Sequence, residues 1–127
     1  MRNILLLALV SLPAAAWADA SQALRMAKDG HFAAAGNVRC AQEVGEALGP
    51  CTAEVSRATG SAAVVVTFGN GFSRMLSFSD GAFLRGNTTM SGTGKDTEWT
   101  LSDGLFEIRV DDQRFEIPEA LVFGKAP

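Results

Sequence analysis

The residues of this chain that could carry out chemistry are few and widely spaced. The sequence has one histidine, His31, and no tyrosine. A metal ligand or a general base at His31 would need carboxylate or cysteine partners at ligand spacing, and its neighbours supply none. Neither a Gly-x-Ser-x-Gly nor a Ser-x-x-Lys motif is present. We therefore expect no catalytic, metal-binding or cofactor-binding residue, and we interpret His31 as a surface histidine.

The two cysteines, Cys40 and Cys51, form an even pair with ten residues, 41–50, between them. Redox-active pairs use the much shorter Cys-x-x-Cys spacing. An even count in an exported chain is typical of a structural disulfide. We therefore predict a Cys40–Cys51 bridge, worth about 3 kcal/mol for a loop of this length. A redox or metal pair is the alternative.

The N-terminus predicts export. Arg2 precedes an apolar run, Ile4 to Leu12, and Ala16-Trp17-Ala18 then supplies the small-x-small pattern that signal peptidase recognises. We assign residues 1–18 to a signal peptide, with cleavage after Ala20 as the alternative. A bilayer span takes about 20 apolar residues, more than this run contains. We therefore predict no membrane span and a periplasmic or secreted location.

Behind the signal peptide, the chain fits one domain with an N-terminal extension. Residues 19–35 form the extension, with a short helix predicted from Ser21 to Asp29, and residues 36–127 form a β domain. The formal charge of the whole chain is −3, and charges of both signs are mixed along it. Because there is no basic block, a nucleic-acid partner is not expected.

The β domain is organised around a hairpin that runs from Ala62 to Phe78. A three-residue loop, Gly69-Asn70-Gly71, places Phe68 opposite Phe72. A two-residue Asn-Gly loop would instead distribute the phenylalanines over both faces of the hairpin. In the preferred register, one face collects Val64, Val66, Phe68, Phe72, Leu76 and Phe78, and the other collects Ala63, Val65, Thr67, Ser73, Met75 and Ser77. Arg74 is the one residue on the apolar face that is not apolar.

Turn signals divide the rest of the domain into further strands. Thr59-Gly60 joins the hairpin to a preceding strand, and a brief strand from Asn37 to Ala41 comes before that one. Asp80-Gly81 and Asp103-Gly104 are two-residue hairpin loops. The registers that these turns predict pair Val55 with Val64, Phe78 with Phe83, Trp99 with Ile108 and Glu98 with Arg109. A turn at Asp112-Gln113 pairs Val110 with Phe115 and Arg109 with Glu116, and a final short strand is expected from Ala120 to Phe123.

These strands predict an all-β domain, an antiparallel meander of about seven strands curled into a small barrel or a two-layer sheet. The sequence does not choose between the two, because closure depends on what the first and last strands pair with. The residues expected to be buried together are Val64, Val66, Phe68, Leu76, Phe78, Trp99, Phe106, Ile108 and Phe115.

One segment, 87–96, does not follow the meander. It is polar, contains two glycines and has no hydrophobic periodicity, although it lies between Phe83 and Trp99. Loops of this length between strands are either solvated or functional. Ser91, Thr93 and Lys95 have no structural partner in the predicted sheet. We interpret them as a candidate partner-binding loop, with a plain solvated loop as the alternative.

Two resemblances follow from these motifs. From Val38 to Gly124, the chain resembles a group of short exported bacterial proteins without an established activity, on VRCAQ, GPCTAEVSR, VVVTF-GNGFSR and IRVDDQRFEIPEALVFG. In addition, MSGTGKDTEW is similar to the Ser-Gly-x-Gly segment, followed by tryptophan, of periplasmic inhibitors of C-type lysozyme. That second resemblance implies a small β-barrel in which Ser91 enters the acidic cleft of lysozyme. Lys95 is the nearest lysine, at a shorter spacing than in that family.

The function expected from the sequence is therefore non-catalytic. We predict a binding or envelope-accessory module with a protein partner in the cell envelope and no cofactor. A lysozyme inhibitor that presents the 87–96 loop is the alternative. The oligomeric state does not follow from the sequence.

Overall fold

The structure is a computed structural model, and it describes residues 14–86 and 96–124, with side chains from residue 21 onward. It confirms the predicted all-β class and has eight strands in these ranges, one more than expected. The elements are α1 (Ala14–Lys28), β1 (Ala34–Ala41), β2 (Gly49–Ala58), β3 (Ser61–Thr67), β4 (Ser73–Ser79), β5 (Ala82–Gly86), β6 (Thr97–Ser102), β7 (Leu105–Val110), β8 (Gln113–Pro118) and α2 (Glu119–Phe123).

All eight strands belong to one antiparallel sheet, in the order β5-β4-β3-β2-β1-β8-β7-β6. The sheet curls until its two edge strands, β5 and β6, approach each other, so the domain is a nearly closed barrel and not a two-layer sheet. The step that brings the two halves together is the pairing of β1 with β8, in which Cys40 lies opposite Phe115.

The registers predicted from the first turns are confirmed. The Phe68 N–H donates to the Phe72 carbonyl at 2.8 Å, and Gly71 takes a φ of 95° in the loop between them. Asp80 and Asp103 open their turns with φ values of 55° and 53°. The remaining predicted pairs are observed as Val55 with Val64, Phe78 with Phe83, Trp99 with Ile108 and Glu98 with Arg109.

The predicted register of the last hairpin is wrong by two residues. Val110 lies opposite Gln113, and Arg109 lies opposite Arg114. The turn is made by Asp111 and Asp112, because Asp111 adopts a left-handed φ of 53°, a conformation that aspartate tolerates better than most residues. A shift of two residues leaves the alternation of faces unchanged. Phe115 is therefore still buried, as expected.

The predicted final strand from Ala120 to Phe123 is also wrong, because the chain forms helix α2 there. Pro118 ends β8, since it has no N–H to donate to a sheet, and α2 packs against the core with Val122 fully buried. Arg57, on β2, donates from Nε to the Val122 carbonyl at 3.1 Å and from Nη2 to the Leu121 carbonyl at 2.8 Å. These bonds satisfy carbonyls of the last turn, which have no partner within the helix.

The barrel interior holds most of the predicted core. Of the nine residues expected to be buried together, eight are buried. Trp99 is the exception, with 40% of its surface exposed, because it lies on the edge strand β6, which β5 approaches without pairing with it. Phe72, which was placed on the apolar face, is 66% exposed, whereas Phe68, opposite it, is buried.

The outer face of the central hairpin is covered by helix α1. Ala23 and Ala27 are buried on this helix, together with Ala63 of β3, and Val65 and Met75 pack against them. The helix begins at Ala14, upstream of the predicted Ser21, in an alanine-rich stretch whose helix propensity is high. The predicted cleavage sites lie within this helix and stay predictions.

The predicted disulfide is confirmed. Cys40 and Cys51 are bonded, with their Cα atoms 5.9 Å apart, and no free cysteine is present in the described ranges. Both cysteines are buried and belong to the core cluster. The bond links β1 to β2 at the end of their shared ladder, next to the loop that joins them.

Candidate functional site

The candidate residues predicted from the sequence do not form a site in the described part of the chain. His31 is exposed. It contributes to the packing of the fold through its backbone, since its carbonyl accepts a hydrogen bond from Ser56 Oγ at 2.5 Å. Ser91, Thr93 and Lys95 lie outside the described residues. Across residues 14–86 and 96–124, no group of three or more histidine, cysteine or acidic residues is placed to hold a metal ion.

The start of β6 is held in place by Asp96. Its carboxylate lies 3.3 Å from both Nη atoms of Arg109, and its carbonyl accepts a hydrogen bond from the Asp111 N–H at 2.7 Å. The hydrogen bonds that Arg109 donates to Asp96, together with the negative charges of Asp96 and Glu98, raise the pKa of Arg109. The Asp96 side chain is 75% exposed, so water screens this ion pair and the backbone bond is the firmer attachment.

The same backbone bond shows which way the polar groups of β6 point. In an antiparallel pair, hydrogen-bonded and non-hydrogen-bonded residues alternate. Because Asp96 is hydrogen-bonded to Asp111, the even-numbered residues of β6 exchange hydrogen bonds with β7. Thr97, Trp99 and Leu101 therefore direct their N–H and C=O groups away from the sheet. We call these outward backbone groups the β6 edge. Among the described strands, β7 is the only one that pairs with β6.

Two of the three residues of the β6 edge have apolar and accessible side chains. Trp99 and Leu101 are 40% and 36% exposed, and all residues from Glu98 to Ser102 are classed as exposed. The Trp99 ring lies 6.0 Å from the ring of the fully buried Phe106, so the exposed patch continues into the core. Natural edge strands are usually protected by lysine, proline or a bulge, and β6 has none of these between its ends.

A groove of about 630 Å³ runs along the outer face of β6, β7 and β8. Leu48, from the loop between β1 and β2, forms part of its wall, and the charged side chains are those of Glu98, Glu107, Arg109, Arg114 and Glu116. Several are already paired, since Arg109 lies 3.6 Å from Glu98 and Arg39 lies 3.4 Å from Glu116. The groove therefore has a largely apolar lining beside β6, with charged side chains of both signs around it and no strong charge of either sign.

Arg74 is the polar residue inside the barrel. Only 5% of it is exposed, and its Nη1 donates to Gln113 Oε1 at 2.9 Å. Its Nε and Nη2 are buried without a hydrogen-bond partner in the described ranges, as is Oδ2 of Asp111. Burial lowers the pKa of Arg74, and the charge of Asp111 partly opposes that effect. The sequence identified Arg74 as the misfit of the apolar face, and the structure shows a buried charge that is only partly compensated.

Comparison with protein-family models, curated proteins and solved structures finds no match. The two resemblances therefore stay predictions, and the site is argued from this chain alone. In the described ranges, no helix is long and apolar enough to cross a membrane.

Sequence reasoning missed the β6 edge because it counted Trp99 as core. The alternation of apolar residues at 99 and 101 was visible, but the order of strands in the sheet was not. The available signal was the polar segment 87–96 directly before Trp99, which indicated that the chain leaves the meander there.

Proposed function

We propose that this protein is a non-catalytic binding module of the cell envelope, which binds a protein partner along the β6 edge beside the 87–96 segment. The observation that carries the proposal is that the outward backbone groups and the exposed apolar side chains belong to the same residues, Trp99 and Leu101. A partner strand added there would gain main-chain hydrogen bonds and would cover both side chains. In strand addition, the main chain supplies affinity and the side-chain contacts supply specificity.

The proposed location is the periplasm or the extracellular space. Structural disulfides persist in oxidising compartments, and the Cys40–Cys51 bond fits such a place. The signal-peptide pattern of residues 1–18 supports the same location. An envelope-accessory protein that binds a neighbouring envelope protein is consistent with both features.

A capture experiment with a matched control tests this proposal. The exported protein is immobilised and exposed to periplasmic extract and to lysozyme-containing fluids, and the retained proteins are identified after chemical cross-linking. We expect a retained protein to be lost with Trp99→Ser and kept with Phe72→Ser. Phe72 is also an exposed aromatic, but it lies outside β6. Equal retention by both variants, at equal melting temperatures, would exclude the β6 edge as the binding surface.

The second candidate is a lysozyme inhibitor that presents the 87–96 loop. What favours it is the small antiparallel barrel, which is the fold that the resemblance implies, together with the attachment of Asp96 to Arg109 and Asp111 at one end of the segment. We expect Ser91→Ala combined with Lys95→Ala to abolish inhibition of a C-type lysozyme while leaving the melting temperature unchanged. Absence of inhibition by the unmodified protein would refute this candidate and leave the first one standing.

A further inference from the structure

We propose that the groove on the outer face of β6, β7 and β8 binds short apolar peptides of two or three residues with free termini. The terminal ammonium of the peptide lies at Glu107, and its terminal carboxylate lies at Arg114. This binding goes beyond the proposed function and does not depend on it, because the ligand is a small molecule and the surface is not the β6 edge. The basis is the arrangement of the charged side chains that line the groove.

Like charges lie opposite each other on β7 and β8. The register of these strands pairs Glu107 with Glu116 and Arg109 with Arg114. Side chains alternate between the two faces of a strand, and Ile108, between the two β7 residues, is buried in the core. All four charged side chains therefore lie on the outer face, where directly opposed like charges repel each other.

The two β7 side chains relieve this repulsion by turning toward β6. The guanidinium of Arg109 lies 3.3 Å from the carboxylate of Asp96 and 3.6 Å from that of Glu98. The carboxylate of Glu107 accepts a long hydrogen bond from Thr100 Oγ1 at 3.5 Å. Both members of the β7 row thus make their contacts on the side away from β8.

The two β8 side chains turn the other way. The carboxylate of Glu116 lies 3.4 Å from Arg39 on β1, and Arg114 donates a hydrogen bond to the Glu46 carbonyl in the loop between β1 and β2. The two rows of long side chains therefore diverge. This divergence accounts for an open groove on a face that the side chains would otherwise cover, and Leu48 of the same loop adds an apolar part of its wall.

The groove is left with one unpaired charge of each sign. Of the charged residues that line it, Glu98, Arg109 and Glu116 have ion-pair partners, whereas Glu107 and Arg114 have none among the described residues. A complementary ligand carries one cation, one anion and an apolar body between them. A short apolar peptide with free termini has these three properties. A fatty acid lacks the cation, and a polyamine lacks the anion.

The spacing of the two unpaired charges determines the length of the peptide. Glu107 and Arg114 are diagonal neighbours in the register, a relation that places Cα atoms about 7–8 Å apart. Two or three extended residues span about 7–10 Å, whereas a free amino acid supplies only one such step. The groove volume of about 630 Å³ lies within the range of small-ligand sites, about 300–1,000 Å³.

Titration of the ¹⁵N-labelled exported protein with the free tripeptide Ala-Leu-Ala, followed by amide chemical shifts, tests the binding. We expect saturable shifts at Leu48 and along β7 and β8, and none along α1, which covers the other half of the sheet. The free dipeptide Leu-Leu is the second probe. Absence of saturable shifts with both peptides would overturn the proposal, and so would saturable shifts that lie outside the groove.

Peptides with one blocked terminus test the two charge contacts separately. Glu107→Gln should weaken the binding of free Ala-Leu-Ala about three- to fivefold, the range for exposed ion pairs, and should not change the affinity of the N-acetylated peptide. Arg114→Gln should have the same effect on the free peptide and should not change the affinity of the C-amidated one. Glu54→Gln, an exposed carboxylate on β2 outside the groove, is the control. Equal affinity of the unmodified protein for free and blocked peptides would overturn the assignment of the two charges.

Discussion

Replacing Phe78 and Phe72 by alanine, one at a time, compares the same chemical change at a buried and an exposed position. Phe78 is fully buried, and its ring lies 5.6, 5.0 and 6.1 Å from the rings of Phe83, Phe106 and Phe123. Removal of a buried phenylalanine ring costs about 3–5 kcal/mol, since the apolar contacts are lost and a cavity remains. The three aromatic neighbours place the expected loss in the upper half of that range.

Phe72 should behave very differently, because 66% of its surface is exposed. Substitutions at such positions change the free energy of unfolding by about 0.5 kcal/mol or less. Urea denaturation followed by circular dichroism measures both variants, with the transition midpoint and slope recorded for each. A domain of this size has a stability of about 5–15 kcal/mol, so Phe78→Ala should remove a large share of it. A loss below about 1 kcal/mol for Phe78→Ala would refute the interior placement of this ring.

Three further predictions concern other parts of the barrel. Alkylation of the exported protein without reductant should label no thiol, and reduction of Cys40–Cys51 should lower the melting temperature, because a short-loop bridge is worth about 3 kcal/mol; two labelled thiols would refute the bond in solution. Met75→Ala should cost about 1–2 kcal/mol in urea denaturation, because Met75 packs against α1, and a negligible loss would show that the helix does not cover this face. Arg74→Met should leave the free energy of unfolding unchanged or higher, since it replaces a buried guanidinium, two nitrogens of which have no partner among the described residues, by an apolar side chain of similar length; a loss above about 2 kcal/mol would show that attraction to Asp111 outweighs the cost of burial.

Local turn chemistry explains why most registers could be predicted from the sequence. The loop Gly69-Asn70-Gly71 and the Asp-Gly turns each admit one backbone geometry that also keeps apolar residues on one face, so two independent requirements agree. The last hairpin lacked this agreement. Turns at Asp111-Asp112 and at Asp112-Gln113 preserve the same faces, and only the left-handed φ of Asp111 separates them. A sequence pattern does not reveal that φ.

The features that the sequence did not reveal depend on distant contacts. The exposure of Trp99 follows from the place of β6 at the edge of the sheet, which is decided by the pairing of β1 with β8. The short helix α2 forms because Val122 can pack into the core of the barrel, and Arg57, far away in the chain, donates hydrogen bonds to its last carbonyls. The candidate site was missed for the same reason: an edge exists only once the order of strands is known.

The pairing of β1 with β8 has a consequence for how the chain reaches its fold. Every other pair of neighbouring strands is consecutive in the chain or joined by one turn, whereas Arg39 and Glu116, which pair across this ladder, are 77 residues apart. The hairpins of each half can form early from local contacts, but the long loop must close before the barrel exists, and non-local closure slows folding. The disulfide shortens no part of that loop except the segment from Cys40 to Cys51. The refolding rate should therefore be governed by the meeting of two preformed half-sheets, β1–β5 and β6–β8.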